Sequence, residues 1–234
     1  MIDPELQARA QRLEPQAVEA VLNAFYPMVY RMAVGLTGHT AAGGRVTRRI
    51  MRRAIDRMPR WTHEGDPQRW FSHHTILVGR REGGRMPDPM DDALVAGADS
   101  APSPQYVAFI RALRSLPMQQ REAIILNDGE QLDARGLAVA RECSTEAASN
   151  HLAVGRRELL PAAGEELNRL LATMRGAYHR LTPTEEMALP LIRRVVRKVA
   201  WPRRIWRLMR AAIVLAVLGA VAWVAWQYGP MVDW

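Results

Sequence analysis

The residues with the most chemistry to offer lie between Ser144 and Leu159, in the run STEAASNHLAVGRREL. Ser144 and Thr145 carry the hydroxyls that cap a helix N-terminus, and helical spacing beyond them puts Ala148 and Leu152 on one face. Glu146, Ser149, Asn150, His151 and Arg157 are left outside that face. Together with Thr145 and Arg156 they make a set of donors and acceptors long enough to reach base edges or phosphates. Other chemistries find little support. The chain has 6 histidines and 1 cysteine, with no HExxH or CxxC spacing, and His73 and His74, being adjacent, point about 100° apart on a helix. No metal site is expected, and no P-loop, GxSxG or paired-carboxylate arrangement suggests a catalytic residue or a cofactor. The lone Cys143 excludes an intramolecular disulfide. Binding, and not catalysis, is the expected activity.

A helix that reads DNA needs a smaller helix behind it and a tight turn between them. Leu137, Ala138 and Ala140 give a helix from about Asp133 to Glu142 a small apolar face, with Cys143 as a buried turn residue before the second helix, Glu146 to Leu160. Upstream, Tyr106, Phe109, Ile110, Leu113 and Leu116 form one stripe; Pro117 starts a helix with Ile124, Ile125 and Leu126, ended by Asn127-Asp128-Gly129. In the N-terminal half, Val18, Leu22, Phe25, Val29, Met32 and Leu36 share a face, interrupted where Pro27 should kink or restart the helix. Gly35, Gly38 and Gly43-Gly44 read as the break before a second stripe, Val46, Ile50, Ala54 and Met58. A third helix, Pro67 to Arg81, carries Trp70, Phe71, His74, Leu77 and Val78. No segment alternates as a strand does. The fold class expected is all-α: one small helical domain over 1–86, a flexible Gly/Pro/Asp/Ser-rich linker over 87–104, and a helix-turn-helix domain over 105–164. Pro161, Gly164 and Leu181-Thr-Pro-Thr make 165–204 read as a further linker containing a basic amphipathic helix.

Leu116-Pro117, Gln120-Arg121-Glu122, Ile124-Ile125-Leu126, Asp128-Gly129, the helix-turn-helix and Gly155-Arg156-Arg157-Glu158-Leu159 occur in an order that resembles the C-terminal domain of the extracytoplasmic-function group of bacterial RNA polymerase sigma factors. The resemblance covers about fifty residues. It implies double-stranded promoter DNA as ligand, its upstream element met by Thr145, Glu146, Ser149, Asn150, His151, Arg156 and Arg157, and core RNA polymerase as partner. The chain departs from the pattern at Gly136, where the family usually has Glu, and at Ser149, where a basic residue is common. Glu142 replaces the usual turn glycine, which calls for positive φ at a non-glycine residue.

The N-terminal half resembles the family's other domain more weakly, through AFYPMVYRMAVGLTG, Arg53-Ala54, Trp70-Phe71 and Arg80-Arg81. The resemblance implies that His73, His74, Arg80, Arg81 and Arg85 meet the downstream promoter element. Trp70 belongs in the same stretch, but core packing is the better expectation for it. It also implies that the helix from Gly44 to Met58 grips the polymerase clamp. There the family tends to carry acidic residues, whereas this chain has Arg45, Arg48, Arg49 and Arg52. Either that contact is rebuilt or the helix meets something anionic.

The formal net charge of +8 favours polyanions, nucleic acid or anionic lipid. The N-terminus lacks the apolar stretch of a signal peptide. Residues 211–226 are 16 apolar residues without a charge. Extended to 205–228, with Arg207 and Arg210 snorkelling and Trp223, Trp226 and Tyr228 at the interface, they read as a single transmembrane helix. A buried core helix is the alternative. Between Leu191 and Arg210 there are 8 basic residues and no acidic one, which orients the preceding domains toward the cytoplasm of an inner membrane. Leu191, Ile192, Val195, Val196 and Val199 share a face opposite Arg193, Arg194, Arg197 and Lys198; that helix either lies on anionic lipid or packs its apolar face on the protein. The expectation as a whole is a membrane-tethered sigma factor, with an anti-sigma protein as a further possible partner. Its rivals are a sigma-derived DNA-binding regulator that has lost polymerase, and a membrane adaptor.

Overall fold

The computed structural model of the 234-residue chain describes residues 2–63, 65–82, 91–98, 101–183, 188–197, 213–220 and 223. These residues are helical and loop throughout, with no strand among them, as the apolar spacing predicts. The N-terminal half folds as α1 (Pro4–Gln11), α2 (Pro15–Thr37), α3 (Thr40–Arg57), a 3-10 turn (Met58–Arg60) and α4 (Asp66–Glu82). Helix α2 continues through Pro27 without restarting, because Phe25, Tyr26, Val29 and Tyr30 on either side are buried and hold it helical despite the missing N–H. It ends at Gly38, whose φ of 76° lets its N–H return to the Val34 carbonyl. Gly35 lies inside α2, and Gly43-Gly44 lie inside α3 and not between helices. A Cβ on Gly43 would sit 2.4 Å from Val34 Cγ2, so the glycine is there to let α2 and α3 cross closely.

The second half is α5 (Ala93–Ala96), α6 (Pro104–Ser115), α7 (Met118–Gly129), α8 (Ala134–Arg141), α9 (Thr145–Ala163) and α10 (Leu167–Arg180). Two expectations about linkers are corrected here. Within 87–104, the described residues 91–98 form no flexible tether. Asp92 caps α5 by accepting from Leu94 N at 2.9 Å, and its carboxylate takes the Arg114 guanidinium at 2.6 and 3.0 Å. Arg114 Nη1 also donates to the Gly35 carbonyl at 2.8 Å, so α6, α5 and the end of α2 meet at one buried cation. Residues 165–204 do not begin as a linker either. Leu170, Leu171, Met174, Ala177 and Tyr178 are a helical stripe that buries α10 in the core. α9 also continues through Pro161 and stops at Gly164, at φ +57°.

The halves are therefore not separate. Val18, Leu22, Phe25 and Ile50 share one buried cluster with Phe109, Ile110, Ile124, Leu159 and Tyr178. A second cluster joins Met32 of α2 and Ile76 of α4 to Ala123, Leu126, Leu137, Ala138, Ala140 and Ala148. Tyr178 is the deepest link. Its ring is fully buried where a Cβ on Gly35 would lie 2.6 Å from it and one on Gly129 2.9 Å from it. Its hydroxyl donates to Glu130 Oε1 at 3.0 Å, and Glu130 in turn accepts from Arg31 at 3.1 Å. Burial, reinforced by the Glu130 charge, raises the phenol pKa well above its ordinary value.

Residues 188–197 are helical, and Ile192, Val195 and Val196 are buried in the main cluster. The apolar face that could have lain on lipid is thus covered by protein, while Arg193, Arg194 and Arg197 remain exposed. Lys198, Val199 and the rest of that basic stretch lie outside the described residues. Residues 213–220 are helical and exposed on every side, Ile213, Val214, Leu215, Val217 and Leu218 each by more than half. No described helix is long and apolar enough to cross a membrane; the flanks of the expected 205–228 span lie outside the described residues.

Glycine substitutions test the Tyr178 packing. Gly35→Ala should destabilise the chain by about 1–3 kcal/mol through overpacking. Gly44→Ala meets nothing within 4 Å, and should stabilise by about 0.5–1 kcal/mol through helix propensity alone. Denaturant midpoints that move together for the two variants would show that the ring has room to spare.

Candidate nucleic-acid interface

The helix-turn-helix is built by local chemistry. Asp133 caps α8 by accepting from Gly136 N at 2.7 Å. The helix ends at Glu142, which takes φ 52° and ψ 53° and sends its N–H to the Ala138 carbonyl. This is the left-handed turn residue that the resemblance calls for, here without glycine. Cys143 follows, partly buried, and Ser144 caps α9 by accepting from Ala147 N at 3.1 Å. Ala148, Gly155 and Leu159 form the inward face. Gly155 brings α9 close to α7: a Cβ there would lie 3.2 Å from Ile124 Cγ1.

Thr145, Glu146, Ser149, Asn150 and Arg157 all stand exposed on α9. His151 is half-buried; burial, then the Arg141 charge, lowers its pKa and leaves the ring neutral near pH 7. Glu146 is an acidic residue in the first turn of the helix, with its carboxyl held below the usual range by hydrogen bonds from its own N–H and from Ser144. A carboxylate there repels phosphate but can accept from a cytosine amino group. Arg156 departs from expectation. Its Nη2 donates to Asn127 Oδ1 at 2.9 Å and stands 3.4 Å from Asp128, so it fastens α9 to the end of α7. Asp128 also holds Arg175 of α10, at 3.4 Å.

The residues expected on the downstream promoter element do not form one surface. Arg80 makes a two-pronged pair with Glu122 at 2.7 and 2.8 Å, and Arg141 lies 3.5 Å from the same carboxylate. Burial of Glu122 makes this a fixed strut between α4 and α7, because a lone carboxylate there would lack any solvent compensation. His73 is turned toward α8, with Nδ1 3.3 Å from the Ala140 carbonyl and Nε2 3.5 Å from Glu142. His74 stacks on Trp70 at 4.4 Å with its Nδ1 on the Trp70 carbonyl, and desolvation, then the neighbouring His73, lowers its pKa. Trp70 is itself core, against Phe71 and Trp61. Arg81 alone of the described set is exposed, and Arg85 lies outside the described residues. The physical reason is that α8 must bury Leu137, Ala138 and Ala140, and α4 supplies the surface.

The α4–α8 seam is incompletely filled. A cavity of about 470 Å³ lies along it, lined by Phe25, Gln68, Arg69, Ser72, Gly136 and Val139 among others. On α3, Arg45, Arg48, Arg49 and Arg52 are all exposed, with Arg45 and Arg49 sharing Glu82 at 3.3 and 3.7 Å.

Sequence reasoning missed the acidic hubs Asp92, Glu122, Asp128 and Glu130. The available signal was an acidic residue beside or within an apolar helical run, such as Glu122 before Ala123 to Leu126. Glu122→Ala should destabilise the chain by about 3–5 kcal/mol, since it leaves Arg141 buried beside an unpaired Arg80. Arg81→Ala should stay within about 0.5 kcal/mol of wild type. Equal denaturation midpoints for the two variants would show that Glu122 is no strut. Comparison with known protein families, with characterised proteins and with solved structures finds no match to this chain.

Proposed function

We propose that this chain is a membrane-held transcription factor of the sigma type, whose α8–α9 motif binds promoter DNA with core RNA polymerase as its working partner. The observation that carries the DNA-binding part is the face of α9: Glu146, Ser149, Asn150 and Arg157 stand free while Ala148 and Gly155 hold the helix to the body. Such a helix, with its N-terminal residues outermost, suits the major groove. Membrane attachment at the inner membrane is supported by the uncharged run 211–226 and the basic stretch before it, and by the described helical residues 213–220, which are apolar and exposed on every face. Such a surface needs lipid or protein around it.

In this reading the α4–α8 seam is a closed state, in which His73 and Arg80 are occupied by α7 and α8. Promoter melting would require α4 to be released, by polymerase or by loss of an anti-sigma partner. The arginines of α3 favour an alternative, a DNA-binding regulator that no longer engages polymerase, because a reversed sign at the clamp contact costs affinity.

Full-length protein in mild detergent, mixed with core polymerase, separates the two. A truncation at residue 182 would not serve, because it strips Ile192, Val195 and Val196 from the core. Co-elution with promoter-dependent transcripts is the expected result; sequence-specific DNA binding without co-elution would favour the regulator, and neither activity would end both readings. For DNA itself, Arg157→Ala should weaken binding across sequences and flatten the slope of log affinity against log salt by about 0.9 for one lost phosphate contact. Arg156→Ala should instead lower stability, through its lost tie to Asn127 and Asp128. An unchanged salt slope in Arg157→Ala would remove that residue from the interface.

A further inference from the structure

Helix α3 divides cleanly into two faces. Val46, Thr47, Ile50, Met51 and Ala54 are buried. Arg45, Arg48, Arg49, Arg52, Arg53 and Arg57 are exposed, and Arg60 continues the series in the 3-10 turn. Arginines recurring three and four residues apart stand one above another, about 5.4 Å per turn, so Arg45 to Arg57 make a ridge roughly 18 Å long. Glu82 partners Arg45 and Arg49 at its near end, and Asp56 is the one acidic residue on α3. Arg48, Arg52, Arg53, Arg57 and Arg60 have no ion-pair partner among the described residues. Like charges at these spacings oppose helix formation, and a merely solvated face would be as well served by mixed signs. The ridge is complementary to a dense, repeating anion.

The exposed side chains also say how that anion is met. Between Arg45 and Arg60 the ridge offers guanidinium groups, with no exposed aromatic or amide side chain to stack on or read a base. Guanidinium forks suit phosphate. The polar, base-reading chemistry of this chain is on α9 instead. At the other end of the chain, the exposed apolar helical residues 213–220 follow Arg197 by fewer than 20 positions. An extended connection of that length reaches no more than about 60 Å, so a bilayer holding this helix keeps its headgroups at high local concentration around the body.

We propose that the arginine ridge of α3 docks the folded body onto the phosphate headgroups of an anionic bilayer. The proposal rests on the membrane-held reading above. Docking lays the body against the membrane through α3, and gives the tethered chain a second, salt-sensitive attachment independent of the apolar helix.

Arginine footprinting with phenylglyoxal, read by mass spectrometry, tests it on the unaltered full-length chain. The chain is reconstituted into nanodiscs of phosphatidylcholine alone, or of phosphatidylcholine mixed with phosphatidylglycerol. Modification of Arg48, Arg52, Arg53 and Arg57 should be several-fold slower in the anionic discs, while the exposed Arg111 and Arg157 react alike in both. The protection should vanish near 1 M salt, where screening acts over about 3 Å. Equal rates on α3 in the two discs would overturn the proposal. So would protection by duplex DNA of arbitrary sequence in place of phosphatidylglycerol, which would make the ridge a nucleic-acid surface. Elution of the chain apart from the discs would mean that the apolar helix does not hold it in a bilayer. In that case the footprint is taken on phosphatidylglycerol vesicles, where protection of α3 upholds the ridge without the tether and its absence ends both.

Discussion

The structure turns on one aromatic ring held where two helices have no side chain to offer. Tyr178 lies against Gly35 of α2 and Gly129 of α7, with its hydroxyl on Glu130, itself held by Arg31. A ring buried this way removes a large apolar area from water, and any Cβ on either glycine would displace it. Its satisfied hydroxyl keeps that burial from carrying the cost of an orphaned donor. Since α7 is the platform on which α9 lies, and α2 is the spine of the N-terminal half, α10 ties the orientation of α9 to the rest of the chain. A segment that reads as a connector is therefore an organising element of the fold.

Carboxylates divide the arginines into two kinds. Arg114 on Asp92, Arg80 and Arg141 on Glu122, and Arg31 on Glu130 are internal struts, joining residues far apart in sequence, while Arg156 and Arg175 reach in from the surface to the buried Asp128. Arg48, Arg52, Arg53 and Arg157 keep their charge toward solvent. Helix α3 thus gathers unpaired positive charge on one face, and such a patch differs from a uniformly basic surface in what it can bind. Each strut is fixed by the burial of its carboxylate, because a desolvated anion without its cation would cost several kcal/mol.

Much of the helical architecture is legible in the sequence, because apolar residues three and four apart mark the buried faces of α2, α3, α6 and α7. The helix-turn-helix is legible for a further reason: capping hydroxyls and a turn are local chemistry, so Ser144 caps as its type predicts and Glu142 takes the positive φ that its position demands. What failed was everything decided by distant partners. Gly35 and Gly43 read as breaks, but a glycine within a helix can serve close approach instead, and nothing local announces Tyr178 or Val34. Arg80 and Arg156 read as phosphate ligands because their carboxylates lie 42 and 28 residues away. Asp92 sits in a Pro/Gly-rich stretch whose composition suggests a tether, yet one buried guanidinium is enough to dock it.

Two of the places where the halves meet differ in kind, and that difference bears on which one can open. The Tyr178 contact is ring against backbone, with its one polar atom bonded. The α4–α8 seam instead joins Leu137 and the small Ala138 and Ala140 to Ile76, with a cavity of about 470 Å³ along it. Alanines bury less apolar area than larger side chains and so contribute less per residue. At the rim, Glu142 meets Arg69 and His73 at 3.5 Å with half of its side chain in water, where such pairs contribute about 0–1 kcal/mol. Glu122 adds a buried charge to that seam, taking Arg80 of α4 and Arg141 of α8, and it lies on the same helix that carries Gly129. Parting α8 from α4 therefore means releasing either Arg80 or Arg141 from Glu122, and neither step touches the ring of Tyr178 between α2 and α7.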